Sequence, residues 1–184
     1  MFDSILRKVF DVEGGYSNDP VDIGGETICG IARNYWPNWK GWKLVDKMKS
    51  DGQTPRPTDA IIDMATAFYR RQFWDPIRGD DLEDYDVAHE VFEIGVNLGT
   101  SRSATMLQEA LNLLNRNGES WDELIEDGRI GPRTLAVLRT CLAQRNGSAH
   151  LVKVLNTLQG MHYIQLARVK PAQERFLRGW LSRT

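Results

Sequence analysis

The stretch Phe2-Asp3-Ser4-Ile5-Leu6-Arg7-Lys8-Val9-Phe10-Asp11-Val12-Glu13-Gly14-Gly15 sets the pattern for the chain. Phe2, Ile5, Leu6, Val9 and Phe10 recur at helical spacing and the run stops at the glycine pair. A helix is predicted, with Glu13 in its last turn or just past it. Residues 15–26, Gly-Tyr-Ser-Asn-Asp-Pro-Val-Asp-Ile-Gly-Gly-Glu, are dense in turn formers and too short for a domain linker. They predict a tight loop or a small hairpin.

Working outward, a short helix is expected from about Thr27 to Tyr35, and another within Asn38 to Asp51. Thr58 reads as an N-cap for a helix whose apolar stripe is Ile61, Ile62, Ala65, Phe68, Tyr69 and Phe73, ended by Asp75-Pro76. Further helices are expected over Asp86 to Leu98 and, capped by Thr100 or Ser101, to about Asn115. Asn117-Gly118 and Asp127-Gly128 mark turns, and Pro132 suits the first turn of a helix to about Ala143. Two more helices, at about 148–168 and 171–182, finish the chain. Strand signals are nearly absent. The fold class is therefore all-α, with at most one small β-hairpin near residues 15–30.

At 184 residues and 41% hydrophobic content the chain can bury a core, which excludes disorder and a disulfide scaffold. No apolar run approaches the ~20 residues needed to span a bilayer. The N-terminus lacks a basic start, an apolar stretch and a cleavage site in that order, so no signal peptide is expected. Cys29 and Cys141 lie far apart in apolar-periodic segments and read as buried free thiols, which suits folding in a reducing cytoplasm. The net charge of −2 hides an asymmetry, −11 over residues 1–128 and +9 over residues 129–184. The basic tail faces either an anionic partner or the acidic half. No nucleic-acid motif accompanies it, and no nucleic-acid partner is expected. His89, His150 and His162 show no metal-ligand spacing with one another or with the cysteines, so no metal and no cofactor are expected.

Glu13 is the first candidate for chemistry. Cleaving a glycosidic bond needs a carboxylic acid to protonate the leaving oxygen, and glycines beside it let a sugar approach the backbone. Inversion needs a second group to orient a water, with the carboxyls roughly 6.5–9.5 Å apart. Asp22 and Thr27 lie on or just after the reversing loop that would return them opposite Glu13. Taken alone, a helix-end glutamate beside glycines is most often a surface carboxylate. Asn97, between Gly95 and Gly99 on an apolar helix, is either a satisfied core amide or a sugar-facing hydrogen-bonder.

Glu13-Gly14-Gly15-Tyr16-Ser17-Asn18-Asp19-Pro20, then Asp22, Gly24-Gly25-Glu26-Thr27 and Gly30-Ile31, resembles the opening signature of glycoside hydrolase family 108, the N-acetylmuramidases often found as phage or prophage endolysins. The resemblance continues through Phe68-Tyr69-Arg70-Arg71, Phe73-Trp74 and Phe92-Glu93-Ile94-Gly95-Val96-Asn97-Leu98-Gly99. The later half is similar to a peptidoglycan-binding region at Leu107-Gln108, Leu111-Asn112, Asp127-Gly128-Arg129-Ile130-Gly131-Pro132, Thr134 and Phe176-Leu177-Gly179-Trp180. It implies a lysozyme-like helical fold, a catalytic domain over 1–97, and a helical peptidoglycan-binding region over 98–184 packed closely on it. It also implies Glu13 as the acid, with Asp22 and Thr27 flanking the attacking water as in phage-type lysozymes. Glu26 competes with Asp22 as the second carboxylate. Tyr16, Asn18, Gly25, Glu26, Tyr69 and Asn97 are the expected substrate-binding residues. The expected partner is the peptidoglycan glycan strand, met by a monomer made in a host bacterial cytoplasm and acting on the wall after release. The basic tail is a candidate for anionic outer-membrane contact. A lytic transglycosylase using the same acid and a non-catalytic peptidoglycan-binding protein are the alternatives.

Overall fold

The computed structural model describes residues 1–184 except 14, 20–23 and 183, and at residues 11–13 it describes the backbone alone. The protein is largely α-helical with one small three-stranded sheet, an α-rich lysozyme-like fold. It divides into two compact units, Met1–Gln72 and Phe73–Thr184.

In the first unit, α1 (Phe2–Glu13) ends where the glycine pair begins. Phe2, Ile5 and Leu6 are buried, as one apolar stripe requires. α1 packs on α3 (Asp59–Tyr69), which buries Ile61, Ala65 and Tyr69 at steps of four. Thr58 caps α3, its hydroxyl accepting from the Ile61 amide at 3.4 Å. The helix then continues as a π-turn, Arg70–Trp74. Between α1 and α3 lie α2 (Trp42–Ser50) and the sheet, β1 (Tyr16–Ser17), β2 (Thr27–Ile28) and β3 (Ile31–Ala32). The order is β1-β2-β3, antiparallel throughout, with Tyr16 opposite Ile28, Ser17 opposite Thr27, and Ile28 opposite Ile31.

The expected helix over Thr27–Tyr35 is therefore a correction: these residues form a second hairpin. Cys29 and Gly30 both have positive φ, 50° and 72°, the signature of the two-residue turn whose twist matches paired strands. A cysteine is an unusual first residue there. Tertiary structure holds it: the buried Tyr69 hydroxyl donates to the Cys29 carbonyl at 3.1 Å.

In the second unit, α4 (Tyr85–Leu98) and α5 (Thr100–Leu113) meet at Gly99, pack on each other, and both pack on the long α7 (Gly147–Val169). Asp84 caps α4 through the Val87 amide at 3.0 Å. The α5 N-cap is Gly99 rather than Thr100 or Ser101, and it has no side-chain cap bond. Its φ of 92° closes the tight reversal that a hydroxyl residue would resist. Ser103 on α5 donates to the Val91 carbonyl on α4. α6 (Pro132–Leu142) and α8 (Glu174–Leu181) complete the layer against α7. The units part at 72/73, and α4 packs with α5 and α7 inside the second.

The 114–131 loop explains several motif residues. The buried Gln108 amide donates to Asp127 Oδ1 at 2.8 Å and the Arg129 carbonyl at 3.0 Å, and it accepts from the Gly128 amide at 3.0 Å. Asn112 makes a reciprocal pair with the Leu124 backbone, at 3.0 and 2.8 Å. A side chain on Gly128 would meet Ser101 Oγ at 2.6 Å. These residues are scaffold, and they fold the loop onto α5. Cys29 and Cys141 are both buried free thiols. Among the described residues, no helix is long and apolar enough to cross a membrane.

Candidate functional site

The α1 helix delivers Glu13 at its C-terminal end; the Glu13 side chain and the whole of Asp22 lie outside the described residues. The Gly15 carbonyl accepts from the Cys29 amide at 3.3 Å, so Gly15 leads directly into the sheet. Tyr16 follows on β1, half-buried, and Asn18 is exposed just beyond the strand. The chain returns at Gly25, where φ is +65° and an added Cβ would lie 2.8 Å from Asn34 Nδ2. Thr27 sits on β2 with its hydroxyl donating to the Gly25 carbonyl at 3.1 Å.

Glu26 is the electrostatic centre of this unit. It is 8% exposed, and its Oε1 accepts from Tyr16 Oη and Lys49 Nζ, both at 2.8 Å. Arg33 Nε lies 2.7 Å from Oε2, a close ion-pair contact off the ideal hydrogen-bond line. Arg33 also forks onto Asp46, at 2.7 and 3.2 Å, and stacks over the Trp42 ring at 4.3 Å. Burial raises the Glu26 carboxyl, but hydrogen bonds from Lys49 and Tyr16 and the nearby cationic charges outweigh it and hold it below its ordinary value. Tyr16 is raised, first by burial and then by Glu26, so it remains a donor. Glu26 is thus an ionised anchor that ties the loop before β2 to α2.

The remaining expected residues fall in different places. Tyr16, Gly25, Glu26 and Thr27 come together around the sheet. Tyr69 is 2% exposed and belongs to the core of the first unit. Asn97 lies in the second unit near the end of α4. Arg33, Asp46 and Lys49 were not legible as site residues, because Glu26 meets Arg33 and Lys49 across 7 and 23 residues of chain with no periodic pattern and Asp46 joins through those two cations; of these pairs the Asp46–Lys49 step on α2 is the helical one.

Trp42 and Trp74 are buried in the core. Trp36 and Trp39 are instead half-buried, and with Tyr35, Phe68, Arg71 and Gln72 they line an open groove of about 490 Å³. Edge-to-face contacts run inward from it, Trp36 to Phe68 at 4.8 Å, Phe68 to Tyr69 at 5.6 Å and Tyr69 to Phe10 at 5.8 Å, reaching α1 one turn before Glu13. Cys29, by contrast, is pushed up to about 11 by burial, which keeps the thiol protonated and inert. In the second unit Glu90 is pushed up to about 8 by burial, with the Glu93 charge adding to it.

Residues 102–184 match the family model described as a predicted peptidoglycan domain. A solved structure, that of Brucella abortus SagA, is similar with a TM-score of 0.62 and 26% identity, over 99% of this chain and 88% of that one. No curated protein matches. Residues 6–99 match the model of glycosyl hydrolase 108, and since that segment spans more than half of its length, the chain belongs to the glycosyl hydrolase 108 family.

Proposed function

We propose that this hydrolase is an N-acetylmuramidase, cutting the β-1,4 bond between N-acetylmuramic acid and N-acetylglucosamine in peptidoglycan, with Glu13 as the general acid. The observation that carries the reading is the family match over 6–99, which contains the whole string from Glu13 to Thr27. The peptidoglycan match over 102–184 supports the substrate class. The division of labour follows the matches, with catalysis in 1–97 and wall binding in 98–184.

In this mechanism Glu13, at the end of a helix and beside glycines, protonates the glycosidic oxygen. Asp22, helped by the Thr27 hydroxyl, holds the water that attacks from the opposite face. Glu26 is a poor second carboxylate because three donors already engage its oxygens; its part is to shape the loop that carries Asp22. Tyr35, Trp36 and Trp39 offer aromatic faces for sugar rings, with Arg71 and Gln72 as polar partners.

The same reading makes the protein a phage- or prophage-type endolysin, monomeric, made in the host cytoplasm and acting at the wall after release. Arg168, Lys170, Arg175 and Arg178, interleaved with exposed Val169 and Phe176, suit contact with an anionic outer-membrane surface.

Purified sacculi are the test. Glu13→Gln keeps shape while removing the titratable proton and is expected to slow clearing by about 10²- to 10⁴-fold. Full activity in Glu13→Gln would remove the mechanism. Products one water heavier than the bond broken mark hydrolysis, whereas anhydro-muramic ends would show a lytic transglycosylase. Binding without clearing by the parent protein would reduce it to a wall-binding module.

A further inference from the structure

One face of α4 gathers three donor groups that the hydrolase reading does not use. His89, Glu90 and Glu93 each bring one ligand atom, and these atoms lie within 4.8 Å of one another. Helix geometry accounts for the convergence: Glu93 follows His89 by four residues and Glu90 by three, so both earlier side chains neighbour it. The His89 ring stacks on Tyr85 at 6.4 Å, which fixes its plane. Sequence inspection sought histidines spaced against other histidines or cysteines, and so passed over an imidazole flanked by carboxylates.

A second observation points to an occupant. Glu90 is 5% exposed, and its Oε1 has no hydrogen-bond partner. Asn156 on α7 hydrogen-bonds the Glu90 carboxylate, and its own Oδ1 is also buried without a partner. Both orphans are acceptor atoms. Buried polar atoms are normally satisfied, and the Asn156 bond leaves Glu90 Oε1 unpaired. A cation satisfies several such acceptors at once.

We propose that His89, Glu90 and Glu93, with Asn156 at the edge, form a binding site for a first-row divalent cation. The donor set indicates the class. One imidazole nitrogen with two carboxylates suits Zn²⁺ or Mn²⁺, whereas Ca²⁺ and Mg²⁺ favour shells of oxygen alone. The role is structural. α4 lies in the segment matched to the glycosyl hydrolase and α7 in the segment matched to the peptidoglycan domain, so the ion fastens the two matched segments within the second unit.

Tag-free full-length protein, stripped with chelator and titrated separately with Zn²⁺ and Mn²⁺, is expected to take up one ion per chain by calorimetry and to unfold at a higher temperature with it bound. Glu90→Gln and His89→Gln are each expected to weaken binding by more than about tenfold. His162→Gln, on α7 and outside the cluster, is expected to bind as the parent does. Titration with Co²⁺ gives a visible band in the parent that both cluster variants lose. No stoichiometric uptake by the parent, or parent-like affinity in both cluster variants, overturns the proposal. Circular dichroism before titration confirms that each variant is folded, and His89→Gln carries the test if Glu90→Gln is not. None of these readouts depends on muramidase activity.

Discussion

The loop before β2 is held through Glu26 by three donors, two of them cationic, whereas the 114–131 loop is held through two neutral amides, Gln108 and Asn112. The Gln108 and Asn112 amides pair backbone groups of their loop, whereas Glu26 pairs the side chains of Tyr16, Lys49 and Arg33. They differ in what they respond to. A carboxylate anchor depends on its own ionisation and on the exposure of its partners, while an amide clamp carries no charge of its own and feels pH only through the carboxylates it binds, such as Asp127. The charged anchor stands beside the candidate catalytic loop, and the neutral one supports the region assigned to wall binding.

The strongest break in the comparison is on the amide side. Gln108→Leu leaves the Gly128 amide and the Asp127 and Arg129 acceptors without their partner, and is expected to cost about 2–4 kcal/mol by denaturant unfolding. Glu26→Gln is expected to cost less, about 1–3 kcal/mol. Lys49 and Arg33 are partly exposed, and Asp46 still pairs with Arg33. A larger loss for Glu26→Gln than for Gln108→Leu would reverse the ranking.

Acid titration sharpens the contrast. The Glu26 carboxyl is held below its ordinary value of 4.5, so its stabilisation is complete above that value and is lost as pH falls through the folded-state value. The melting temperature of the parent should therefore drop more steeply below about pH 4.5 than that of Glu26→Gln. Gln108→Leu should keep the part of the acid response that Glu26 carries and lose the part carried by Asp127, which the Gln108 amide holds below its ordinary value. The smallest effect is on substrate. Tyr35 is 65% exposed in the aromatic groove, and Ile125 is 79% exposed on the 114–131 loop. Tyr35→Ala should raise KM for glycan fragments by about two- to tenfold with kcat nearly unchanged, and Ile125→Ala should leave both alone. Equal effects from the two would show that the groove is not a sugar surface.

Most helices were legible because their signals are local. Ile61, Ala65 and Tyr69 sit at steps of four, Thr58 supplies a cap, and Pro132 opens α6; each of these is decided within a turn or two of chain. The second hairpin was not legible. Ile28-Cys29-Gly30-Ile31 lacks the usual turn residues, and the Cys29 conformation is held by Tyr69, forty residues away. The acid at the end of α1 could be nominated from its string of neighbours, but the engagement of Glu26 could not, since it depends on Arg33 and Lys49 arriving from a strand end and a separate helix. His89, Glu90 and Glu93 stood in plain view, yet their interest arises from Glu90 being buried against Asn156 of another helix.

Sequence by itself determined the helical class, the place of Glu13 at a helix end and the family blocks in order, because periodicity, capping and short motifs are written over a few adjacent residues. Tertiary structure alone decided which carboxylates are committed to scaffold. Burial and ion pairing are set by groups that meet only after the chain has folded: Glu26 is ionised and held because Lys49, Arg33 and Tyr16 converge on it, and Glu90 is left with an unsatisfied oxygen because α7 covers it.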